Sequence, residues 1–312
     1  MFTLFKNACV YSLRRDDAIN LGRLNELLSA YPFSSCGAQD MSRTGWRPIT
    51  KDSNQFCYIT GKNILLVAQT QKKIMPPPVV KENLDARVDK LEQEQSRRLK
   101  KTEKDTLKDE VLHTLLPRAF TRNSFIQIWI DLERLRIVID TTSPRNAENA
   151  LALLRKSIGS LPVVPIMTVN PPALELTDWI KQQRAPVPFE MGESTSAKVM
   201  SILESGATAT FKKEPVGSET LESSLSDGRL VCSLAICHAG EFLTEVTLTD
   251  DLIFKRIEFP DAFKDRNEDI AVDEDADKLA RAEADFILMC DTLGTIISDA
   301  LEAFGGESEA CR

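Results

Sequence analysis

Histidine is nearly missing from this chain: His113 and His238 are the only two in 312 residues. Catalysis through an imidazole base, or a metal held by several imidazoles, therefore has few possible centres. Glycine is also scarce, at 13, which favours long regular elements over loop-rich architecture. No stretch approaches the roughly 18 consecutive apolar residues of a membrane span. The opening MFTLFKNACVYSL has a short apolar stretch, carries Lys6 and leads into no small-residue cleavage pattern, so no secretory signal is expected. These absences predict a soluble, cytoplasmic protein with no membrane partner.

Motifs for nucleotide and hydrolytic chemistry are lacking as well. There is no GxxxxGK(S/T) loop to cradle a triphosphate and no GxGxxG fingerprint after a strand. GxSxG and HExxH are both absent. So are helix-turn-helix, zinc-finger and aromatic RNA-binding signatures, which points away from base readout and towards contacts with a nucleic-acid backbone. The seven cysteines are scattered and odd in number, and read as reduced, partly core-filling thiols. Cys232, Cys237 and His238 lie close together, but the second half of a zinc site is missing. Asp131, Glu133 and Asp140 flank one expected hairpin. They suit either a Mg²⁺-holding nuclease site or, more plainly, a turn and a strand end. No catalytic residue, metal or cofactor is expected.

What is present is an ordinary folded composition, 42% hydrophobic and 28% charged, with an uneven charge distribution. The net charge is −8. Residues 258–312 hold 16 acidic and 5 basic side chains, a balance of −11, which leaves the other 257 residues at +3. Within those, residues 97–122 carry 8 basic and 4 acidic side chains. The molecule is polarised, and polarity of this kind matters more for partners than the sum does.

The hydrophobic pattern predicts an α+β chain. A strand is expected over 3–13, a helix over 20–30, and two strands over 55–60 and 63–70 joined at Gly61-Lys62. Pro76-Pro77-Pro78 then punctuates the chain. Residues 79–116 lack glycine and proline and are rich in helix formers, which predicts one long charged helix. Its thin stripe of Leu84, Val88, Leu91 and Leu99 predicts an exposed arm, and the fuller one of Leu107, Val111, Leu112 and Leu115 a docked end. A hairpin follows over 125–130 and 134–140. A helix capped by Ser143-Pro144 runs to Gly159. Helices are expected at 178–184, 194–204 and 219–226, then a meander over 229–237, 241–247 and 252–259. An acidic linker and a helix over 275–304 close the chain. The expected units are 1–75, a charged helical arm over 76–117, 118–170, 171–260 and 261–312.

The basic run is the strongest positive feature. On one helix, Arg97, Lys100, Lys101, Lys104 and Lys108 would form a continuous ridge, with Arg98 beside it. Such a ridge neutralises phosphates by counterion release, whatever the sequence. It equally suits a solvated helix balanced by Glu103, Asp105, Asp109 and Glu110, or a scaffold that binds other proteins. Lys72-Lys73, Arg118 with Arg122, Arg134 with Arg136, Arg155-Lys156 and Lys212-Lys213 are further clusters that would add to a basic surface.

Several long runs carry a resemblance. KKIMPPPVVKENLDARVDKLEQEQSRRLKKTEKDTLKDEVLHTLLPRAFTR closely resembles the signature region of the RdgC family. So do LFKNACVYSL, CGAQDMSRTGW, ALALLRKSIGSLPVVP, DRNEDI and ADFILM, in the family's order from end to end. The resemblance implies a horseshoe-shaped monomer that pairs at both ends into a ring homodimer. It also implies a basic hole that admits duplex DNA without sequence preference, nucleoid association, restriction of the RecA recombinase, and no catalysis. Phe120, in the LPRAF stretch, is the expected interface anchor, with an ordinary core aromatic as the other reading. The chain departs from the family pattern between about 170 and 228, which leaves Lys212 and Lys213 as candidates for DNA contact there.

Overall fold

The structure is a computed structural model, and it describes residues 2–49, 54–192, 194–201, 206–267 and 275–311. The fold is α+β, built on an open antiparallel sheet. Its N-terminal half contains β1 (Ala8–Leu13), β2 (Ser42–Trp46), β3 (Cys57–Thr60), β4 (Asn63–Lys73), β5 (Thr121–Asp131), β6 (Arg136–Ile139) and the short β7 (Val163–Pro165). Its C-terminal half contains β8 (Phe189–Glu190), β9 (Ser194–Ser201), β10 (Thr208–Pro215), β11 (Arg229–Ala239), β12 (Leu243–Thr249) and β13 (Ile253–Glu258). The main path runs β10-β9-β11-β12-β13-β1-β6-β5-β4-β2, and the two halves join where Ala8 and Cys9 pair with Phe254 and Ile253.

Alternation along the strands makes two cores. Cys9, Tyr11, Ile64, Leu66, Ile128, Ile130, Ile137 and Ile139 face one way. They meet Leu24 and Leu28 of α1 (Leu21–Ser29), and Ala147, Leu151 and Leu154 of α4 (Pro144–Ile158). Leu65, Trp129 and Val138 face the other way, together with Val199, Val231, Leu234 and Ile236 of the second half. The long α8 (Asp275–Ala303) covers this second face, presenting Phe286, Met289, Leu293, Ile296, Ile297 and Ala300 at helical spacing. Side helices α5 (Pro172–Lys181) and α6 (Glu219–Ser226) pack there too, through Leu176, Trp179, Ile180, Leu221 and Leu225. One helix thus braces both halves of the sheet.

Three expectations are corrected. Residues 79–116 are not one helix but two, α2 (Pro77–Gln95) and α3 (Lys101–Leu115). Ser96 takes a left-handed conformation (φ 51°) and turns the chain, so the thin stripes bury against each other as Leu84, Val88, Leu91, Leu99 and Leu107. Neither stripe is wide enough to stabilise a lone helix, and back-to-back pairing solves that for both. The helix expected over 194–204 is a strand in its described part. Thr195, Ala197 and Val199 are buried, while Lys198 and Met200 point out, a period of two that helix-prone residue types concealed. Positions 202–204 lie outside the described residues, as do 268–274 of the expected acidic linker. The helix expected at 178–184 begins earlier, because Pro171-Pro172 opens α5 rather than ending a connection. Strands β2 and β10 had no counterpart in the sequence reading.

Candidate nucleic-acid interface

β4 and β5 are each 11 residues long, and they outrun the helices that cover their middle. On the face that carries α1 and α4, the row of buried Trp46 and Ala68 and half-buried Ile126 is followed by Thr44–Thr70–Ser124 and then by Ser42–Lys72–Arg122. The outer rows leave the core: Ser42, Thr44, Lys72, Arg122 and Ser124 are all exposed. Thr44 and Thr70 share a hydroxyl hydrogen bond of 2.9 Å.

Lys72 and Arg122 are direct cross-strand partners. Like charges in that position destabilise a sheet, and among the described residues neither forms an ion pair. An anion lying across them would relieve the repulsion. The three segments that meet here, 41–49, 63–74 and 116–130, contain Arg43, Arg47, Lys72, Lys73, Arg118 and Arg122 and no Asp or Glu. In a chain of net charge −8 these segments carry a local excess of positive charge. Hydroxyls, amides, lysine and arginine are the groups that hold phosphates and sugars.

Lys73, expected on the surface with Lys72, is a correction. It is 6% exposed, and its Nζ donates to the carbonyls of Ala38 and Leu116, each at 2.7 Å. The Leu116 carbonyl lies at the C-terminal end of α3, where a helix dipole favours a cation. Lys73 therefore ties the helical pair and the 36–41 loop to the end of the sheet. In that loop, Asp40 is the nearest acid; a Gly37 N–H and Arg43 at 2.7 Å hold its carboxyl below the usual range.

The single basic ridge is corrected too. Arg97, Arg98 and Lys100 lie in the turn between α2 and α3, so only Lys101, Lys104 and Lys108 share a helix. Arg97 makes a two-pronged contact with Glu103 (2.7 and 3.0 Å), and Lys104 is 3.3 Å from Glu92. Arg97 and a backbone N–H of Lys100 pull the Glu103 carboxyl down to about 2. Arg98, Lys100, Lys101 and Lys108 remain exposed and, among the described residues, form no ion pair. Lys212 and Lys213 are exposed on β10, the outermost strand at the opposite end of the sheet, where lysines also guard an edge against pairing. Arg118 is exposed just before β5.

Of the other basic clusters, Arg155 and Lys156 are exposed near the end of α4, with Lys156 over the Tyr31 ring, whereas Arg134 and Arg136 are half-buried and paired. Arg134 pairs with Asp131 at 3.0 Å, and Arg136 with Glu307 at 2.7 Å. Cys237 and His238 are neighbours on one strand and so face opposite sides; His238 Nε2 is 2.7 Å from Asp299. Among the described residues no group of three or more His, Cys, Asp or Glu is placed to hold a metal. Asp131 accepts the N–H groups of Glu133 and Arg134 as a turn residue, while Asp140 sits beside Gln127, four positions back along β5. The nuclease trio is therefore spread out. Burial raises the Asp140 carboxyl, against hydrogen bonds from Asn7. His113 is exposed on α3 beside Gln39. Phe120 is 85% exposed, which rules out the core reading, and its carbonyl accepts the Ile74 N–H at 2.7 Å. No helix among the described residues is long and apolar enough to cross a membrane.

Comparison with known proteins accounts for nearly the whole chain. A family model described as "Putative exonuclease, RdgC" matches residues 3–307. The chain belongs to the RdgC family. "Recombination-associated protein RdgC" of Yersinia enterocolitica serotype O:8 / biotype 1B is 41% identical over 306 residues, covering 98% of this chain and 99% of the relative. The proteins of the same name from Yersinia pestis (strain Pestoides F) and Yersinia pseudotuberculosis serotype IB are similar to the same extent. The RdgC-family residues that sequence reasoning undervalued, Lys72 with Ser42, Thr44, Thr70 and Ser124, are spread over more than eighty positions. Only strand pairing brings them together.

Proposed function

We propose that this chain binds duplex DNA through its phosphate backbone, without reading sequence, and so serves recombination in the cytoplasmic nucleoid. In this reading the protomer is a horseshoe, and two copies close into a ring around the duplex and limit RecA filaments there. The observation that carries the reading is the Lys72–Arg122 pair at a sheet end whose three segments contain no Asp or Glu. The name shared by the Yersinia relatives supports its setting in recombination. Phe120, so exposed beside the DNA-facing strands, is the anchor of one ring interface, which a two-fold assembly would bury against its copy.

Titrating unrelated duplexes against salt tests the reading. Affinities should be alike, and the log-log slope should be roughly −0.9 per phosphate neutralised. A salt-independent or sequence-selective affinity would refute it. Replacing Phe120 with Ser should shift the dimer towards monomer in sedimentation without unfolding it.

The family description makes degradation of DNA the rival reading. Incubating nicked and linear DNA with Mg²⁺ or Mn²⁺ separates the two, since release of nucleotides would establish an exonuclease.

A further inference from the structure

The sheet face that α1 and α4 cover in the N-terminal half is bare at the far end of the C-terminal half. There the side helices and α8 pack on the opposite side, against Val231, Leu234 and Ile236. Strand pairing sets Glu190, Cys237, Glu245 and Glu258 in one row across β8, β11, β12 and β13. All three carboxylates of the row are exposed, and Cys237 between them is half-buried. The adjoining row on the same face holds Ala239 and Leu243, and Leu243 is 57% exposed. Phe189, His238 and Ile257, next to these positions along their strands, are buried on the other side.

Glu245 and Glu258 are direct cross-strand partners, and like charges in that position destabilise a sheet. Among the described residues none of the three carboxylates forms an ion pair, and Lys255, on the same face, makes none with them. Burial, and then the charges of Glu245 and Glu190, push the Cys237 thiol above its usual range. An incoming cation relieves the repulsion within the row, and Leu243 beside it offers apolar area to the same visitor. Phosphates are repelled here. Four strand steps separate β12 from β5, and a twist of roughly 20–25° per step turns this row well away from the Lys72–Arg122 pair.

The spacing of the row suits a helix. Neighbouring strands lie about 4.8 Å apart, which puts Glu245 roughly 10 Å and Glu258 roughly 15 Å from Glu190. A helix laid across the strands rises about 1.5 Å per residue, so side chains at i, i+7 and i+11 meet those three positions from one face. The geometry points to this face as a docking site for an amphipathic helix of another protein, with lysine or arginine along that ridge and apolar residues on the flank over Ala239 and Leu243. The chain's own Lys101, Lys104 and Lys108 have a similar spacing on α3, but Asp105 and Asp109 lie among them and the apolar Leu107 and Val111 are buried. A second copy therefore lacks the apolar flank. The inference stands apart from the duplex-binding reading and adds a protein partner to it.

The test titrates a fluorescein-labelled amphipathic helical peptide of leucine and lysine onto the full chain by anisotropy, with its leucine–glutamate counterpart as control. The basic peptide should bind and the acidic one should not. Glu245→Gln/Glu258→Gln should weaken the basic peptide about fivefold, as loss of two exposed charge pairs does, and Leu243→Ser about tenfold. Duplex affinity should stay the same in both variants. The urea midpoint of Glu245→Gln/Glu258→Gln should not fall, since facing like charges are removed. Undiminished peptide affinity in either variant would overturn the docking site. Equal binding of the acidic peptide would do the same, as would release of the basic one by micromolar Ca²⁺, which would make the row a cation site. A lower sedimentation coefficient for Leu243→Ser would assign the face to a second copy and overturn its assignment to another protein.

Discussion

The α2–α3 pair and the end of the β2–β4–β5 sheet are both rich in lysine and arginine, yet they use their cations differently. Residues 77–115 hold nine basic and nine acidic side chains, so the helical pair is neutral as a whole. Arg97, Lys104 and Arg87 each face an acid, Glu103, Glu92 and Glu110. The sheet end has six cations and no acid in its three segments. One of them, Lys73, is consumed by two carbonyls, and Arg43 by Asp40. Arg47 lies over the Phe125 ring, and Lys72, Arg118 and Arg122 are left without an ion pair among the described residues. A run of lysines and arginines is thus a weaker guide to an anion site than the absence of acids around a shorter one. Charge that is matched within the fold holds the fold together, and only the remainder is offered to a partner.

The largest effect expected from this contrast is on duplex affinity. Lys72→Glu/Arg122→Glu should cost on the order of 100-fold at moderate salt and flatten the salt slope by roughly 0.9 for each phosphate no longer neutralised, as read by fluorescence anisotropy. Next comes stability. Lys73→Met leaves the Ala38 and Leu116 carbonyls unsatisfied and removes a charged donor, which should destabilise by about 2 kcal/mol in urea unfolding. A drop of under a few tenths would mean that those carbonyls find water. Smaller again is the effect of reversing Arg98 and Lys101 on the helical pair, expected to weaken duplex binding only a few-fold. If this reversal outweighs that of Lys72 and Arg122, the contrast between the regions is broken.

The finest prediction concerns Glu103. Its folded-state titration lies below the ordinary glutamate range, so its contribution to the α2–α3 turn is complete above that range and is lost as pH falls through about 2. An NMR titration of its side chain should find the midpoint near that value. A midpoint in the ordinary range would show that Arg97 does not hold it.

Much of the fold was legible because its signals are local. Gly61-Lys62 marks the turn between β3 and β4, and Ser143-Pro144 caps α4, with the Ser143 hydroxyl accepting the Asn146 N–H. The meander of β11, β12 and β13 declared itself by alternation. The α2–α3 turn did not, because Ser96 is neither glycine nor proline and takes its left-handed form only when two apolar stripes reward the reversal. Strand β9 was hidden by Ala, Lys and Met, whose helix preference is worth less than burying Thr195, Ala197 and Val199. Of the candidate site, Arg118 and Arg122 were visible as cations. That Lys73 is buried while its neighbour Lys72 is exposed follows from strand alternation, once the register and the covering loop are known.

By itself, the sequence determined the inventory: an α+β chain of the RdgC family, with only two histidines and its acidic excess towards the C-terminus. Tertiary structure alone decided which cations are free. Whether a lysine meets a carboxylate, a carbonyl or water depends on neighbours supplied by distant segments, and electrostatic energy falls off over a few ångströms in a way that spacing along the chain does not record.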